Sequence, residues 1–329
     1  MPIQTTVACS EHELAALQPL WDRCFEADPY ATVFQSFAWN LAAVRHLSNR
    51  EFPHVIAVED DDGHATVLPC GLSPDADSPQ ALTFLGETLA DYRAPITTDA
   101  GSRSFAVAWE SAASLQLPLQ FTALRHDHHS VFDLFSTQDF TGAPYLAEVT
   151  AEAFAAEHNR MFSRLRKLQR IGFELHTRTA SDPSAERMLR ELYANKAAGD
   201  KGSLFHDAAR VSTLLDALIR LGDCVRITSM ERDAETIACA VTIADRGWMR
   251  FYTNWYDLEW KHYSPGMVLL FELTRRALAD GFACDYLTGD QPYKLRLGNQ
   301  VAPLRRVAAT PAELRHAADQ LSSVLPSAA

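Results

Sequence analysis

The chain has 329 residues, of which 47% are hydrophobic and 22% charged, and its formal net charge is −12. This length exceeds one typical domain and the composition excludes a disordered chain, so we expect two folded domains. The acidic balance excludes DNA as a partner and argues against tRNA. The sequence shows no apolar stretch of about 18 residues and no leader pattern, which predicts a cytoplasmic protein without a transmembrane segment.

The first half alternates helices with strands. Ser10 and Glu13 form a capping-box pattern that begins an amphipathic helix, and Pro29 ends it. A second helix through Leu41 follows Phe34. The remaining elements predicted in this half are strands at 54–59, 65–72 and 81–85, a helix at 104–117 and a strand at 118–124.

A basic stretch lies between the halves, from residue 160 to residue 178. Its helical part puts Met161, Leu165 and Leu168 on one face, while Arg166, Lys167 and further arginines occupy the remainder. A solvated helix face explains such a run of charges, and so does a clamp for the phosphate groups of a donor or an acceptor. Both interpretations stay open at this point.

In the second half, the spacing of hydrophobic residues changes from a helical period to the pattern typical of β-strands. Three strand-like runs at 224–230, 236–244 and 247–255 predict an antiparallel meander. Ser264-Pro265-Gly266 then begins a helix that reaches Asp280, and a strand follows at 284–287. A helix N-terminus with free N–H groups and a glycine beside it is a physical anion site, although an ordinary capped helix has the same pattern.

Several classes of site are disfavoured because their sequence motifs are absent or lack the required spacing. The string Arg125-His126-Asp127-His128-His129 contains adjacent histidines, whose side chains point in different directions, and no second cluster at ligand spacing accompanies it, so we expect no metal site. Gly-x-Ser-x-Gly, Gly-x-Gly-x-x-Gly and Walker motifs are absent from the sequence. Hydrolase, dinucleotide and nucleoside-triphosphate sites are therefore not predicted.

The ordered motifs of the second half resemble one family of transferases. They are Trp255-Tyr256-Asp257, Tyr263-Ser264-Pro265-Gly266, Asp285-Tyr286-Leu287-Thr288-Gly289-Asp290 and Pro292-Tyr293-Lys294. Together they resemble the CelD-like (BioF2-like) branch of the GNAT superfamily, which is distantly similar to the FemABX transferases. Weaker similarities at Asp91-Tyr92 and Leu165-Arg166-Lys167 extend the resemblance over most of the chain. Where the family commonly has an Arg-Trp pair, this chain has Lys196-Ala197.

This resemblance implies an α+β fold of two tandem GNAT-like halves, each a mixed sheet flanked by helices. The implied division is an N-terminal half over residues 1–150, a basic connecting helix and strand over 151–180, a C-terminal acetyltransferase half over 181–310, and a C-terminal helix or tail over 311–329. The implied co-substrate is acetyl-CoA or another acyl-CoA, with no metal.

The resemblance also assigns roles to residues. Asp257 is the candidate proton acceptor, and Tyr293 is the candidate proton donor to the leaving thiolate. Lys294 is the candidate that would stabilise anionic groups or developing negative charge in the cleft, and Asp290 beside it would hold the lysine or orient the amine. Acyl-CoA would be bound by Tyr252, Thr253, Asn254, Trp255, Ser264, Pro265, Gly266, Met267 and Val268. The acceptor would be bound by Asp91, Tyr92, Arg166, Lys167 and Lys196.

The function expected on this basis is N-acyl transfer from an acyl-CoA to a free amine on a small molecule or a glycan precursor, such as an amino sugar of an envelope or exopolysaccharide precursor. Two alternatives remain open. One is a tRNA-dependent aminoacyltransferase of FemABX type, and the other is a non-catalytic binding module that keeps the fold.

Overall fold

The computed structural model describes residues 3–73, 80–86, 88–125, 129–233 and 235–324. Its strands are β1 (Gln4–Ala8), β2 (Phe52–Pro53), β3 (Val55–Glu59), β4 (Ala65–Leu68), β5 (Cys70–Leu72), β6 (Leu82–Phe84), β7 (Ile96–Thr97), β8 (Leu119–Arg125), β9 (Thr137–Leu146), β10 (Glu174–Thr179), β11 (Val225–Arg232), β12 (Glu235–Asp245), β13 (Trp248–Tyr256), β14 (Ala283–Asp285) and β15 (Gln300–Ala309). Its α-helices are α1 (Glu11–Ala16), α2 (Gln18–Ala27), α3 (Phe37–Leu47), α4 (Arg103–Ser114), α5 (Ala151–Glu157), α6 (Asn159–Arg170), α7 (Ala185–Gly199), α8 (Ala208–Leu221), α9 (Pro265–Ala279), α10 (Pro292–Leu295) and α11 (Pro311–Val324).

The chain forms two compact units that do not coincide with its two halves. Unit 1 consists of Met1–Thr141 and Pro303–Ala329, and unit 2 is Gly142–Ala302. The C-terminal segment belongs to unit 1 because β15 pairs with β8 and α11 packs on α4. The basic segment expected to connect two halves, residues 151–180, lies within unit 2. The domain boundaries at 150, 180 and 310 stay a prediction.

Unit 1 contains two groups of paired strands. An antiparallel sheet has the order β1-β3-β4-β7, and a mixed group has the order β15-β8-β6-β5-β2, in which β6 and β8 run parallel. Helix α4 packs on β3 and β4. Its buried Phe105 and Trp109 join Phe121 of β8 in an apolar cluster, which supplies the burial that stabilises this unit.

The N-terminal helix predicted as one continuous element is two helices. Helix α1 ends at Ala16, and α2 begins at Gln18 with Pro19 in its first turn. Proline lacks the N–H group that would continue the helical hydrogen bonds, so it is accommodated only where a new helix starts. The predicted Ser10 cap is present, because its side chain accepts a hydrogen bond from the Glu13 amide.

Unit 2 is built on a sheet in the order β10-β11-β12-β13-β14, with the end of β9 next to β14. The meander β11-β12-β13 is antiparallel, as its sequence pattern predicts, whereas β13 and β14 run parallel with α9 between them in sequence. The predicted fold class, α+β with mixed sheets flanked by helices, is confirmed. No α-helix within the described ranges is long and apolar enough to cross a bilayer.

One face of this sheet is covered by α9 and α6. Val268, Leu269 and Leu273 of α9 are buried in the same apolar cluster as Leu165 and Leu168 of α6. Phe162 completes the buried face of α6, while Met161 is only partly buried. The basic helix is therefore amphipathic, and its apolar face anchors it beside the first turns of α9.

A buried ionic network joins the strands of unit 2. Arg250 of β13 is 2% exposed, and its guanidinium donates hydrogen bonds to Asp245 at the end of β12 and to Asp285 of β14. Arg250 and Asp285 are also register partners across the parallel strand pair. The network compensates the cost of burying three charges and fixes where β13 and β14 pair.

We expect Arg250→Met to lower the free energy of unfolding by about 3–5 kcal/mol, because it removes the guanidinium that bonds to two buried carboxylates. Arg226→Met is the matched control. Arg226 lies on β11, and its ion pair with Asp280 is half-exposed, so we expect a loss below about 1 kcal/mol. Urea denaturation followed by circular dichroism measures both, and equal losses would contradict the structural role given to Arg250.

Candidate functional site

The sheet of unit 2 opens where β13 extends past β14. Their parallel pairing covers Trp248–Arg250 against Ala283–Asp285, and β13 then continues to Tyr256. A β-bulge accompanies this change, because Val241 faces Thr253 and Thr242 faces Phe251, which leaves Tyr252 as the extra residue. Within the described ranges β14 provides no pairing for β13 beyond Arg250, so backbone groups of its second half border an open edge.

Lys196 of α7 reaches this edge. Its Nζ donates to the backbone carbonyl of Asn254 over 2.8 Å and lies 5.3 Å from the ring centre of Phe205. Burial lowers the pKa of Lys196, Asp200 partly opposes this, and the ammonium of Lys294 lowers it further. Lys196 therefore lies at β13, next to Asn254.

Lys294 and Tyr293 lie on the short helix α10. Lys294 is 9% exposed, and its ammonium donates to the backbone carbonyl of Thr288. Lysines usually lie on the surface, but this burial excludes that interpretation for Lys294. A small cavity is lined by Phe251, Thr253, Asn254, Leu270, Tyr286, Tyr293 and Lys294. The predicted residues Thr253, Asn254, Tyr293 and Lys294 thus share one cavity.

Asp257 and Asp290 occupy more exposed positions. Asp257 follows β13 and begins a 3-10 turn, where its carboxylate accepts a hydrogen bond of 2.9 Å from the Glu259 amide. This is the turn-capping role that is common for aspartate. Asp290 is exposed in the loop before α10. Neither carboxylate lines the cavity that contains Lys294.

The N-terminus of α9 has an unusual cap. Ser264 adopts a left-handed conformation with φ of 56°, and its side chain makes no capping hydrogen bond to the helix. Instead its hydroxyl accepts a hydrogen bond of 2.7 Å from Nη1 of Arg164 on α6. The first-turn amides are thus without a side-chain cap, and a guanidinium lies beside them. Both features favour an anion at this position.

Gly266 has a packing role in addition to its place in the motif. A Cβ atom at this position would lie 2.8 Å from Cδ1 and 3.2 Å from Cβ of Tyr256. The side chains of Pro265 and Val268 are buried, whereas Met267 is partly exposed. Glycine therefore allows α9 to approach the end of β13, and contacts of this turn with a ligand would come from backbone amides and Met267.

The remaining predicted residues lie elsewhere. Arg166 and Lys167 are exposed on α6, and Arg166 donates to Ser163 of the same helix over 2.8 Å. Asp91 and Tyr92 belong to unit 1, where Tyr92 is buried and its carbonyl accepts a hydrogen bond from the Gln35 amide group. Within unit 2, neither Arg166 nor Lys167 lines the cavity that contains Lys294.

Sequence reasoning did not select Arg164 as a site residue. Arg164 precedes Leu165 and lies four residues before Leu168, so it borders the buried face of α6. Residues at this spacing are neighbours on a helix surface. This spacing was the signal that could have distinguished Arg164 from the outward-facing Arg166 and Lys167.

The histidine string is only partly described, since His126, Asp127 and His128 lie outside the described residues. His129 is buried in unit 1, where its Nε2 lies 2.9 Å from a carboxylate oxygen of Asp28. Burial opposes ionisation of Asp28, but hydrogen bonds from His129, Tyr30 and Thr97 outweigh it and lower the pKa of Asp28. This pair explains His129 as part of the interior of unit 1.

The comparison with known families identifies the region that carries this site. Residues 156–295 match the model of the acetyltransferase (GNAT) domain. This region of the chain therefore resembles a GNAT domain, and the match covers less than half of the chain. The match includes α6, α7, the meander, α9 and α10, and its residues all lie within unit 2. The narrower assignment to the CelD-like branch stays a prediction.

Solved structures share the fold over nearly the whole chain. FemX is similar with a TM-score of 0.61 and 10% identity, covering 92% of this chain and 96% of that one. The C-terminal domain (DUF2156) of a protein assigned as a lysylphosphatidylglycerol synthetase from Agrobacterium fabrum is similar with a TM-score of 0.59 and 13% identity. That match covers 96% of this chain and 95% of the other. L-PGS from Bacillus licheniformis is similar with a TM-score of 0.57 and 10% identity, and the match covers 92% of this chain and 96% of the other. At these identities the likeness concerns the fold alone. No curated protein matches the chain in sequence.

We expect Gly266→Ala to lower the free energy of unfolding by about 1–3 kcal/mol, because the added methyl group overlaps Tyr256. Gly199→Ala is the control, since a Cβ atom there meets open space at the end of α7, and we expect it to be neutral or to stabilise by up to about 1 kcal/mol. Thermal and urea unfolding of both variants measure this. A neutral Gly266→Ala variant would show that Tyr256 moves freely.

Proposed function

We propose that this protein is an N-acyltransferase that moves an acetyl or longer acyl group from an acyl-CoA to a free amine. The observation that carries the proposal is the open edge of β13 next to the N-terminus of α9, where Arg164 bonds Ser264. The matched GNAT domain spans both features. An extended thioester would follow the strand edge, and its phosphate groups would meet the helix.

The donor's pyrophosphate would bind at the first turn of α9. Proline has no N–H group, so the nearest donors are the amides of Gly266 and Met267, which point along the helix dipole. Arg164 has further N–H groups besides the one given to Ser264, and a guanidinium can bind a phosphate with two hydrogen bonds. The overall charge of −12 makes such a local cationic site necessary for a polyanionic ligand.

The acyl carbonyl would lie at the edge of β13, near Thr253 and Asn254. Backbone N–H groups there would stabilise the oxyanion that forms when the amine nitrogen attacks the carbonyl carbon. The buried ammonium of Lys294 lies at the same cavity and would meet the developing negative charge. Such a charge is worth more in a water-poor cleft than at the surface.

Proton transfers complete the reaction. As the carbon–sulfur bond breaks, the sulfur leaves as a thiolate, and the Tyr293 hydroxyl would return a proton to it. The attacking amine loses one proton, which Asp257 would accept through water with the carboxylate oxygen that does not cap the turn. Asp290, exposed near α10, would attract a protonated amine, which would release one proton to water before its neutral form attacks and the second to Asp257 afterwards.

The acceptor proposed from the family resemblance is an amino sugar of an envelope or exopolysaccharide precursor. Aminoacyl-tRNA as the donor is the second candidate, because 92% of the chain shares its fold with FemX. The charge of −12 weighs against it, since tRNA binding requires a large basic surface. Binding of coenzyme A, or its absence, separates the two donors.

We expect Arg164→Met to weaken acetyl-CoA binding by about tenfold or more, because it removes hydrogen bonds to a charged phosphate. Arg166→Met is the matched control on the same helix, since Arg166 is exposed and contacts Ser163, and its affinity should stay within about twofold of the parent. Isothermal titration calorimetry measures both. Equal losses would indicate a diffuse electrostatic effect and contradict the donor position.

We expect Lys294→Met to slow acyl transfer by at least about tenfold, which corresponds to 1.4 kcal/mol of barrier. The assay is acceptor-dependent thiol release from acetyl-CoA, with glucosamine as the amine. Lys201→Met, a change of an exposed lysine in the same unit, should keep full rate. Because Lys294 is buried, its replacement can also reduce stability. The Lys294→Arg variant, which keeps the positive charge, and the melting temperature of each variant separate the loss of charge from a loss of folding. Full activity of Lys294→Met with a normal melting temperature would remove Lys294 from the mechanism.

A further inference from the structure

A second cleft of unit 2 lies between α7 and the strands of the meander, on the sheet face opposite α9. Successive side chains of a strand point to opposite faces. Tyr256 contacts Gly266 of α9, so its neighbour Trp255 faces α7, as does its register partner Cys239. The cleft has a volume of about 200 Å³. Its lining consists of Arg178, Arg187, Met188, Glu191, Leu192, Asn195, Ser229, Glu231, Thr236, Cys239 and Trp255.

Trp255 offers a flat apolar surface in this cleft. Its side chain is partly exposed, and within the described part of the chain no hydrogen bond or ring contact engages it. Met188 and Leu192 of α7 provide aliphatic groups in the same cleft. An indole together with aliphatic side chains favours a rigid ring over a flexible chain, because a ring loses less conformational freedom on binding.

The polar groups of the cleft carry balanced charges. Glu231 accepts a hydrogen bond from the Ser229 hydroxyl and lies 3.6 Å from Arg178. Glu191 forms an exposed pair with Arg187 at 3.3 Å. Two carboxylates and two guanidinium groups therefore cancel, so neither a strongly anionic nor a strongly cationic ligand is favoured.

A ligand with hydroxyl groups fits the polar lining of this cleft best. A hydroxyl can donate to a carboxylate and accept from a guanidinium or an amide. The side chains of Asn195 and Thr236 also line the cleft, and neither has a hydrogen-bond partner among the described residues. The cleft volume of about 200 Å³ is similar to that of a cavity of about 150 Å³ that binds one benzene molecule, which limits the enclosed part of a ligand to a single small ring.

The cleft adjoins the open edge of β13. Asn195 is followed by Lys196, whose ammonium binds the carbonyl of Asn254, and Asn254 is followed by Trp255. A ring held against Trp255 could therefore direct a substituent past Lys196 to the strand edge. We infer that this cleft binds the acceptor as an amino-sugar ring, with its hydroxyls on Glu231 and Glu191 and its amine directed to the edge; this inference rests on the proposed acyl transfer.

The charges of α7 provide a matched pair of variants. Glu186 and Glu191 each pair with an arginine four residues away, and both are more than half exposed, but only Glu191 lines the cleft. We expect Glu191→Gln to weaken glucosamine binding about fivefold or more, because a charged acceptor is lost. Glu186→Gln should leave the affinity unchanged. Calorimetry with glucosamine alone, without a donor, measures both, and identical affinities would overturn the inference.

Trp255 provides an independent readout. Glucosamine should change the tryptophan fluorescence of the parent protein, and Trp255→Phe should remove that change while keeping the affinity within about threefold, because an aromatic platform remains. Trp255→Leu should weaken binding about tenfold. If putrescine, an acyclic amine, binds in the cleft and glucosamine does not, the ligand is a flexible amine and the sugar assignment is wrong.

Binding of acetyl-CoA to the parent protein keeps the two proposals separate. Donor binding without any glucosamine binding would overturn the acceptor assignment and leave the acyl transfer intact. Glucosamine binding that depends on Glu191 and Trp255, without donor binding, would support the cleft as a sugar site and overturn the acyl-CoA reaction.

Discussion

Arg250 donates hydrogen bonds to Asp245 and Asp285 in the interior of unit 2, and the arrangement of the candidate site follows from these contacts. Burying three charges is expensive unless they are paired with good geometry. The network therefore holds β13 and β14 together at one place. The pairing of the two strands ends there, and the bulge at Tyr252 lies immediately beyond. The same strand is thus fixed at one end and open at the other, where Lys196 and the cavity of Lys294 lie.

Close packing at the other side of this edge sets the position of α9. Gly266 allows the helix to contact Tyr256, the last residue of β13. The left-handed conformation of Ser264 directs the chain into the helix and leaves its hydroxyl to Arg164. The strand edge and the helix N-terminus are therefore adjacent because of one glycine contact. A donor molecule that uses both would need no rearrangement of the backbone between them.

Local patterns predicted the meander and α9 because their periods are strong and their ends carry turn and cap residues. They did not predict β9, whose sequence includes Gly142 and Pro144, residues that disfavour strands. That strand exists because it pairs with β14 and β15, contacts that only the tertiary structure provides. The same limit applied to the site. Lys294 and Tyr293 were found from a motif, but the approach of Lys196 to Asn254 joins residues 58 positions apart.

Unit 1 is assembled from both ends of the chain, because β15 and α11 return to it after the whole of unit 2. A ribosome releases the chain from its N-terminus, and domains generally fold as units during synthesis. The residues of unit 2 are contiguous, so all of them are synthesised before the last segment of unit 1. The cluster around Trp109, in contrast, includes Val307, Leu314 and Ala318 and has to wait for them. The sequence of unit 2 is therefore complete while unit 1 still lacks β15 and α11 and exposes apolar surface, which is the stage at which a chaperone would be most useful.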